Sequence, residues 1–502
     1  MNNHILAIDI GTTSVKSSIF DCNFTPMGFQ LEEYELLKPG DGIVEMDPET
    51  YWEITKRMII KTIAVSGVDP ISIIAIAVTT QGETILPVDC EGRVLRNAIV
   101  WLDSRSEAEA ELIKQTFTAQ QIYSMTGIPQ IDATCPICKI MWMKANEADI
   151  YRKTFKFLLL EDYIIMKLTG NYVTEKSLMS STGYFDVSKG VLWDDMMTYA
   201  KVEKDKIPEI LDCGVCVGPV RRDIADELGL CLSTMVATAA MDQVAAALGT
   251  GNTEPGIITE TTGTALVVAA TAYINNFDSN AGLTVYRHAM PGKYLVLAYS
   301  STAGIVLKWF KDQFCQEEII ASKKSGLTEY AYLARIAQKV KPLSNGLVVF
   351  PYFSGIIMPE HRPEARGIFL GLSLNTKKSH FIRAIFESIA YMLRDNLEII
   401  KRFGIEVCEI RSTGGGAKSD LWSEIKANVC NVKVLSMMQE ESALLGAAIL
   451  AGKAAGIYID IENIGLKFQV RDEQRPNNEI VRTYNIGYEK YRKACEFSKL
   501  LE

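Results

Sequence analysis

Asp9-Ile10-Gly11-Thr12-Thr13-Ser14 follows the apolar run Ile5-Leu6-Ala7-Ile8 and leads into Val15, Ser17, Ile19 and Phe20. Two strand-like segments flanking a Gly/Thr turn read as a β-hairpin. The device recurs far along the chain, where Gly256-Ile257-Ile258-Thr259-Glu260 runs into Thr261-Thr262-Gly263-Thr264 and then Ala265-Leu266-Val267-Val268. Such a turn suits phosphate, because glycine lets the backbone approach closely while amides and hydroxyls donate to phosphate oxygens. Asp9, at the tip of the first strand, adds a carboxylate that can hold Mg²⁺, an ion that favours a few carboxylates plus substrate phosphates over a full protein cage.

Outward from the hairpins, strand-like runs at Ile73 to Val78 and Leu347 to Phe350 alternate with helical ones such as Ser106 to Thr116, which predicts an α/β architecture. Ile382, Ile385, Phe386, Ile389, Leu393, Leu397 and Ile400 recur at helical spacing, so a long helix is expected after Asn375-Thr376, with Ser379 as its cap and Gly404 as its stop. At 502 residues the chain exceeds what one hydrophobic core usually supports, so two large domains are expected, with the boundary near residue 250 in the turn-rich Gly249-Thr250-Gly251-Asn252.

The composition, 48% hydrophobic and 23% charged, is that of a packed globular protein. A net charge of −9 with scattered basic residues argues against a nucleic-acid partner and for a small-molecule substrate. No apolar run approaches the roughly 20 residues that span a bilayer, and no signal peptide opens the sequence, so no membrane partner is expected and the cytoplasm is the expected compartment. Eleven cysteines, an odd number, read as reduced thiols. Cys135-Pro136-Ile137-Cys138 and Cys213-Gly214-Val215-Cys216 lie too far apart, with no nearby His, to read as one zinc module.

Gly414-Gly415-Gly416-Ala417-Lys418-Ser419 is a third glycine-rich stretch, but Ala417 separates the Lys from the last Gly, and Arg411 stands where a P-loop needs its first Gly. No Gly-x-Gly-x-x-Gly opens a helix after the first strand, which excludes a dinucleotide fingerprint there. The stretch reads as a close-approach loop against which an adenine could lie, with Ser419 capping a helix that starts at Asp420.

In this order along the chain, Asp9-Ile10-Gly11-Thr12-Thr13, Trp101-Leu102-Asp103-Ser104-Arg105, Leu160-Glu161-Asp162-Tyr163, Met241-Asp242-Gln243, Thr262-Gly263-Thr264, Pro351-Tyr352-Phe353-Ser354-Gly355, Ala365-Arg366-Gly367, Thr413-Gly414-Gly415-Gly416-Ala417-Lys418-Ser419 and Gly446-Ala447-Ala448 resemble the motifs of the FGGY carbohydrate kinases. The resemblance implies a two-domain, actin-like ATPase fold, each domain a ribonuclease-H-like unit, with the active site in the cleft between them. It implies ATP and Mg²⁺, and a sugar-binding domain over residues 1–250 that carries the first phosphate hairpin and the catalytic Asp. The adenine-binding domain would span 251–502. Asp242 aligns with the catalytic base, and Asp9 and Asp242 are the expected metal contacts. The nucleotide is expected on Gly11, Thr12, Thr13 and Lys16, on Thr262, Gly263 and Thr264, and on Gly414, Gly415, Gly416, Ala417 and Ser419. Asp242 could also simply cap the Ala-rich helix that begins at Gln243-Val244-Ala245.

The acceptor is expected on Gln81, Gly82, Glu83, Trp101, Asp103, Asp242 and Gln243. Glycerol kinases resemble Asn-Gln-Arg-Glu-Thr at the first of these segments; this chain keeps Gln81, Glu83 and Thr84 but has Gly82 in place of Arg, which removes a multi-donor clamp and frees volume for a longer acceptor. Xylulose kinases resemble Gln-Met-His-Gly there, and Glu83 stands where their His does. Ile356-Ile357 replaces the Glu-Arg of many relatives. A small sugar or polyol is the expected substrate, with a ketopentose such as xylulose ahead of glycerol and of a catalytically silent nucleotide-dependent binding role. Whether the chain forms a homodimer is left open.

Overall fold

The structure, a computed structural model, describes residues 3–273, 282–356, 362–457 and 469–499. Ile357 therefore lies outside the described residues. Two mixed sheets form the centre. The first contains β1 (His4–Ile10), β2 (Ser14–Asp21), β3 (Pro26–Glu33), β4 (Ile73–Thr80), β5 (Cys216–Pro219) and β6 (Met235–Thr238), in the order β5-β6-β4-β1-β2-β3. The second contains β7 (Gly256–Thr262), β8 (Leu266–Ala272), β9 (Thr284–Arg287), β10 (Tyr294–Ser300), β11 (Val407–Thr413), β12 (Lys433–Met437) and β13 (Val470–Gln474), in the order β13-β12-β11-β7-β8-β10-β9.

The two sheets match strand for strand. In the first, β1 pairs antiparallel with β2 and parallel with β4, and β6 adds in parallel beyond β4. In the second, β7 pairs antiparallel with β8 and parallel with β11, and β12 adds in parallel beyond β11. An antiparallel strand closes the far edge of each, and β9 is the one addition without a counterpart. All seven residues of β1 are buried, as expected of a central strand covered on both faces.

The helices that frame the site are α1 (Pro136–Asn146), α2 (Asp242–Gly249), α3 (Lys378–Arg402), α4 (Asp420–Cys430) and α5 (Ser442–Ala454). Although α5 belongs to the second half of the sequence, it packs on β1 and β4 of the first sheet and crosses α2. At that crossing a Cβ on Gly249 would stand 1.9 Å from the Ser442 carbonyl oxygen, and one on Gly446 would stand 1.9 Å from the Ala245 carbonyl oxygen. The obstacle in both cases is main chain, so only glycine permits this approach.

The expected strands and helix are found at Ile73–Thr80, Val348–Phe350 and Glu107–Thr116. The long helix is α3, and Gly404 beyond it takes φ +90, the left-handed stop. Ser379 is not its cap. The helix begins one residue earlier, and the reach-back comes from His380, whose Nδ1 accepts from the Lys377 amide at 2.9 Å. No described helix is long and apolar enough to cross a membrane. All eleven cysteines are unpaired.

Candidate active site

The first hairpin is closed by the Gly11 amide donating to Ser14 O at 3.0 Å, and Tyr34 ties it from outside, donating from its amide to Thr13 O and from its hydroxyl to Gly11 O. β1 and β2 place Asp9 opposite Lys16 in the ladder, and β1 and β4 place it beside Thr79. Lys16 Nζ lies 3.9 Å from Asp9 Oδ2 and 2.6 Å from Glu441 Oε2, a residue of the second half that directly precedes α5. Desolvation opposes the charge on Lys16, but the Asp9 and Glu441 carboxylates together hold its ammonium above its ordinary value.

Asp242 begins α2 at the end of β6. Its segment is fixed from behind: the Thr79 hydroxyl donates to Ala240 O at 2.6 Å, the Met241 amide donates to Ser177 Oγ at 3.0 Å, and the Ala239 amide donates to Glu161 Oε1 at 2.9 Å. Asp242 Oδ1 accepts from the Gln243 amide at 2.6 Å. An N-cap carboxylate would accept from the amide two or three residues on, so Asp242 does not serve α2 as an ordinary cap. Burial pushes the Asp242 carboxyl up to about 6, with the Gln243 amide pulling it back. Burial likewise raises Asp9 to about 7; Lys16 pulls against this, while the carboxylates of Asp242 and Glu441 add to it.

Glu83 forms the neighbouring wall. Its backbone sits in the left-handed region at φ +61, uncommon for a residue with a side chain. Desolvation raises its carboxyl, and the carboxylates of Asp242 and Asp132 push in the same direction. Lys139, fully buried in the first turn of α1, donates to Glu83 O at 2.9 Å and to Val100 O at 3.1 Å. Trp101 donates from Nε1 to Thr12 Oγ1 at 3.0 Å, linking this wall to the first hairpin. Gln81 is buried beside the Tyr51 hydroxyl, which acts on it, and among the described residues neither its Nε2 nor its Oε1 has a partner at full hydrogen-bond geometry. A buried amide left open in this way marks a place that a further polar group completes.

Across the cleft, the second hairpin closes with the Gly263 amide on Ala265 O at 3.0 Å, and the amides of Ala303 and Gly304 donate to Thr264 O and Gly263 O. A cavity of about 710 Å³ opens beside it, lined by Thr262, Gly263, Thr264, Gly415, Gly416 and Ser419 together with Lys308, Tyr330, Ala334, Phe386 and Trp422. Its size, its apolar far wall and the glycine backbone at its mouth suit a nucleotide. Ser419 Oγ accepts from the Trp422 amide and caps α4, as the sequence predicts. Below the hairpin, Lys426 Nζ lies 2.9 Å from Glu260 Oε2, both side chains fully buried, and Glu260 also accepts from the hydroxyls of Thr262 and Ser412.

Three of the sequence expectations meet a different local geometry. Asp103 does not face an acceptor: it is fully buried, and its two oxygens already accept from the Val44 amide and from the Arg105 amide and guanidinium. Gly82 does not simply free volume, because a Cβ there would meet Ser181 Oγ at 3.1 Å and Met241 Sδ at 3.2 Å; neighbours have filled part of the space. Gly414 and Ala417 do not line the cavity. Gly414 turns the chain at φ +74, and the Ala417 carbonyl accepts from Arg471.

Lys139 and Glu441 go unnoticed in the sequence. Lys139 directly follows Cys138, in a stretch that reads as a sulfur motif, and Glu441 shares no spacing pattern with Lys16. No group of three or more His, Cys, Asp or Glu side chains that could hold a metal ion occurs among the described residues. Asp9 and Asp242, two carboxylates close enough to raise one of them, fit Mg²⁺ that takes its other ligands from phosphate and water.

Residues 4–249 match the N-terminal domain model, and residues 257–455 the C-terminal domain model, of the FGGY family of carbohydrate kinases. A gluconokinase of Bacillus subtilis is 31% identical over 91% of this chain and 88% of its own. A glycerol kinase of Thermococcus onnurineus is 30% identical over 92% of each chain. The crystal structure of a ligand-bound xylulose kinase from Lactobacillus acidophilus superposes with a TM-score of 0.89 at 25% identity, over 99% of this chain and 98% of that one. With both domain models matched in order along the chain, the chain belongs to the FGGY family of carbohydrate kinases.

Proposed function

We propose that this kinase moves the γ-phosphoryl group of ATP onto a hydroxyl of a neutral polyhydroxy acceptor, with a ketopentose such as xylulose as the leading class. The observation that carries this reading is a cluster of carboxyl groups at one place: burial raises Glu83, Lys139 pulls it back, and the nearby carboxylates of Asp242 and Asp132 raise it further. Hydrogen-bond acceptors in that density suit a ligand made of hydroxyl donors and repel an anion.

Asp242 takes the proton of the attacking hydroxyl through Oδ2 as the bond to phosphorus forms and the bond to ADP breaks, while Oδ1 stays fixed on the Gln243 amide. A carboxyl at about 6 is ionised near neutrality and more basic than an exposed one, as this role requires. Lys16 and the amides of Gly11 to Thr13 hold the transferring phosphate, and Thr262 to Thr264 hold the phosphates that remain with ADP. Asp9 and Asp242 would hold Mg²⁺, which when bound neutralises charge on the β- and γ-phosphates.

The test is ADP release with ATP and a panel of pentuloses, hexuloses, gluconate, erythritol and glycerol. Turnover highest with a pentulose is expected. Stimulation by none of the panel, with ATP still bound, would overturn the reading. Gluconate is the second candidate, favoured by the Bacillus subtilis gluconokinase; preference for it would mean that its carboxylate sits away from Glu83 and Asp132.

A further inference from the structure

The residues that wall the acceptor site come from two segments, around Glu83 and around Trp101, and a single cation joins them. Lys139 Nζ donates to the carbonyl of Glu83 at 2.9 Å and to that of Val100, next to Trp101, at 3.1 Å. Nothing about its position is cheap. Its side chain is fully buried, and it stands in the first turn of α1, where the helix dipole disfavours a cation. The compensation is local: two carbonyls accept from it, and the carboxylates of Glu83, Asp103 and Asp132 are close enough to act on its charge.

One of those carbonyls belongs to the residue held at φ +61, a conformation that a side-chain-bearing residue keeps only when its surroundings impose it. The other closes a short turn, since Val100 O also accepts from the Asp103 amide. Trp101 reaches on to the phosphate hairpin through Thr12.

We infer that Lys139 is the positioning residue of the acceptor site, locking the left-handed turn at Glu83 and the start of the Trp101 segment in one register without touching the sugar. The inference rests on reading Gln81, Glu83 and Trp101 as acceptor walls. It requires that loss of the ammonium weaken acceptor binding far more than nucleotide binding, because among the described residues Lys139 donates only to the Glu83 and Val100 carbonyls and meets the first hairpin only through Trp101.

Steady-state kinetics of Lys139→Met, with the best acceptor of the panel, test it. The KM for the acceptor should rise about 10-fold or more, since the Glu83 carbonyl loses its donor and the Val100 carbonyl one of its two, while the KM for ATP changes far less. Lys139→Gln, which keeps one donor group, should fall between the two and serves in place of Lys139→Met if that variant does not fold. An unchanged acceptor KM, or equal losses toward ATP and acceptor that track a fall in melting temperature, would overturn the inference. Glu83→Gln is measured in parallel. If it too leaves the acceptor KM unchanged, the fault lies in the assignment of the acceptor wall; if it raises that KM and Lys139→Met does not, the fault lies with Lys139 alone.

Discussion

The two hairpins share a turn and a sheet position but place their charge differently. At the first, Asp9 and Lys16 lie 3.9 Å apart at the cleft, and Lys16 reaches across to Glu441. At the second, Glu260 and Lys426 are sealed beneath the turn at 2.9 Å, with Thr262 and Ser412 completing the carboxylate. Charge left at the cleft can meet phosphate and metal, whereas charge buried with all its partners can only hold shape. One architecture therefore leaves its charge pair partly open at one hairpin and sealed at the other.

The largest expected effect falls beside the first hairpin. Asp242→Ala should lower kcat by about 10²- to 10⁴-fold in the ADP-release assay while ATP binding persists; unaltered ADP production would remove the chemical half of the comparison. Next comes the buried pair. Lys426→Met strands a buried carboxylate and should cost about 3–5 kcal/mol in denaturant unfolding, and adding Glu260→Gln should recover most of that loss. If the single variant keeps its stability but loses turnover as Asp242→Ala does, the division of labour is wrong. The smallest effect sharpens the contrast: Lys16→Met should raise the KM for ATP about 10-fold by removing a charged donor to phosphate, with stability changed by no more than about 1 kcal/mol, because Lys16 and its nearer partner Glu441 are both partly exposed.

Local pattern carried the architecture. Gly/Thr turns between apolar runs announced both hairpins, helical spacing announced α3, and an ordered set of motifs announced the two-sheet plan. What spacing could not show are contacts that only the fold creates. Lys16 meets Glu441 across 425 positions, and Lys426 meets Glu260 across 166. Asp103 is the instructive miss. A carboxylate in a motif looks available for a sugar, yet Val44 and Arg105 saturate it, and Val44 comes from a strand distant in sequence. Gly82 is similar, since the space left by a missing side chain depends on Ser181 and Met241.

The crossing of α2 and α5 means that the second half is not a portable module. A cut in the turn at Gly251 would leave the first fragment with β1 and β4 stripped of the helix that roofs them, and the second fragment with that same helix bare. Each piece would carry half of one core and seek the other. Although the two sheets repeat a plan, the halves are interlocked rather than joined end to end, and a gene exchange that swapped only one of them would have to match its partner's roof as well as its own fold.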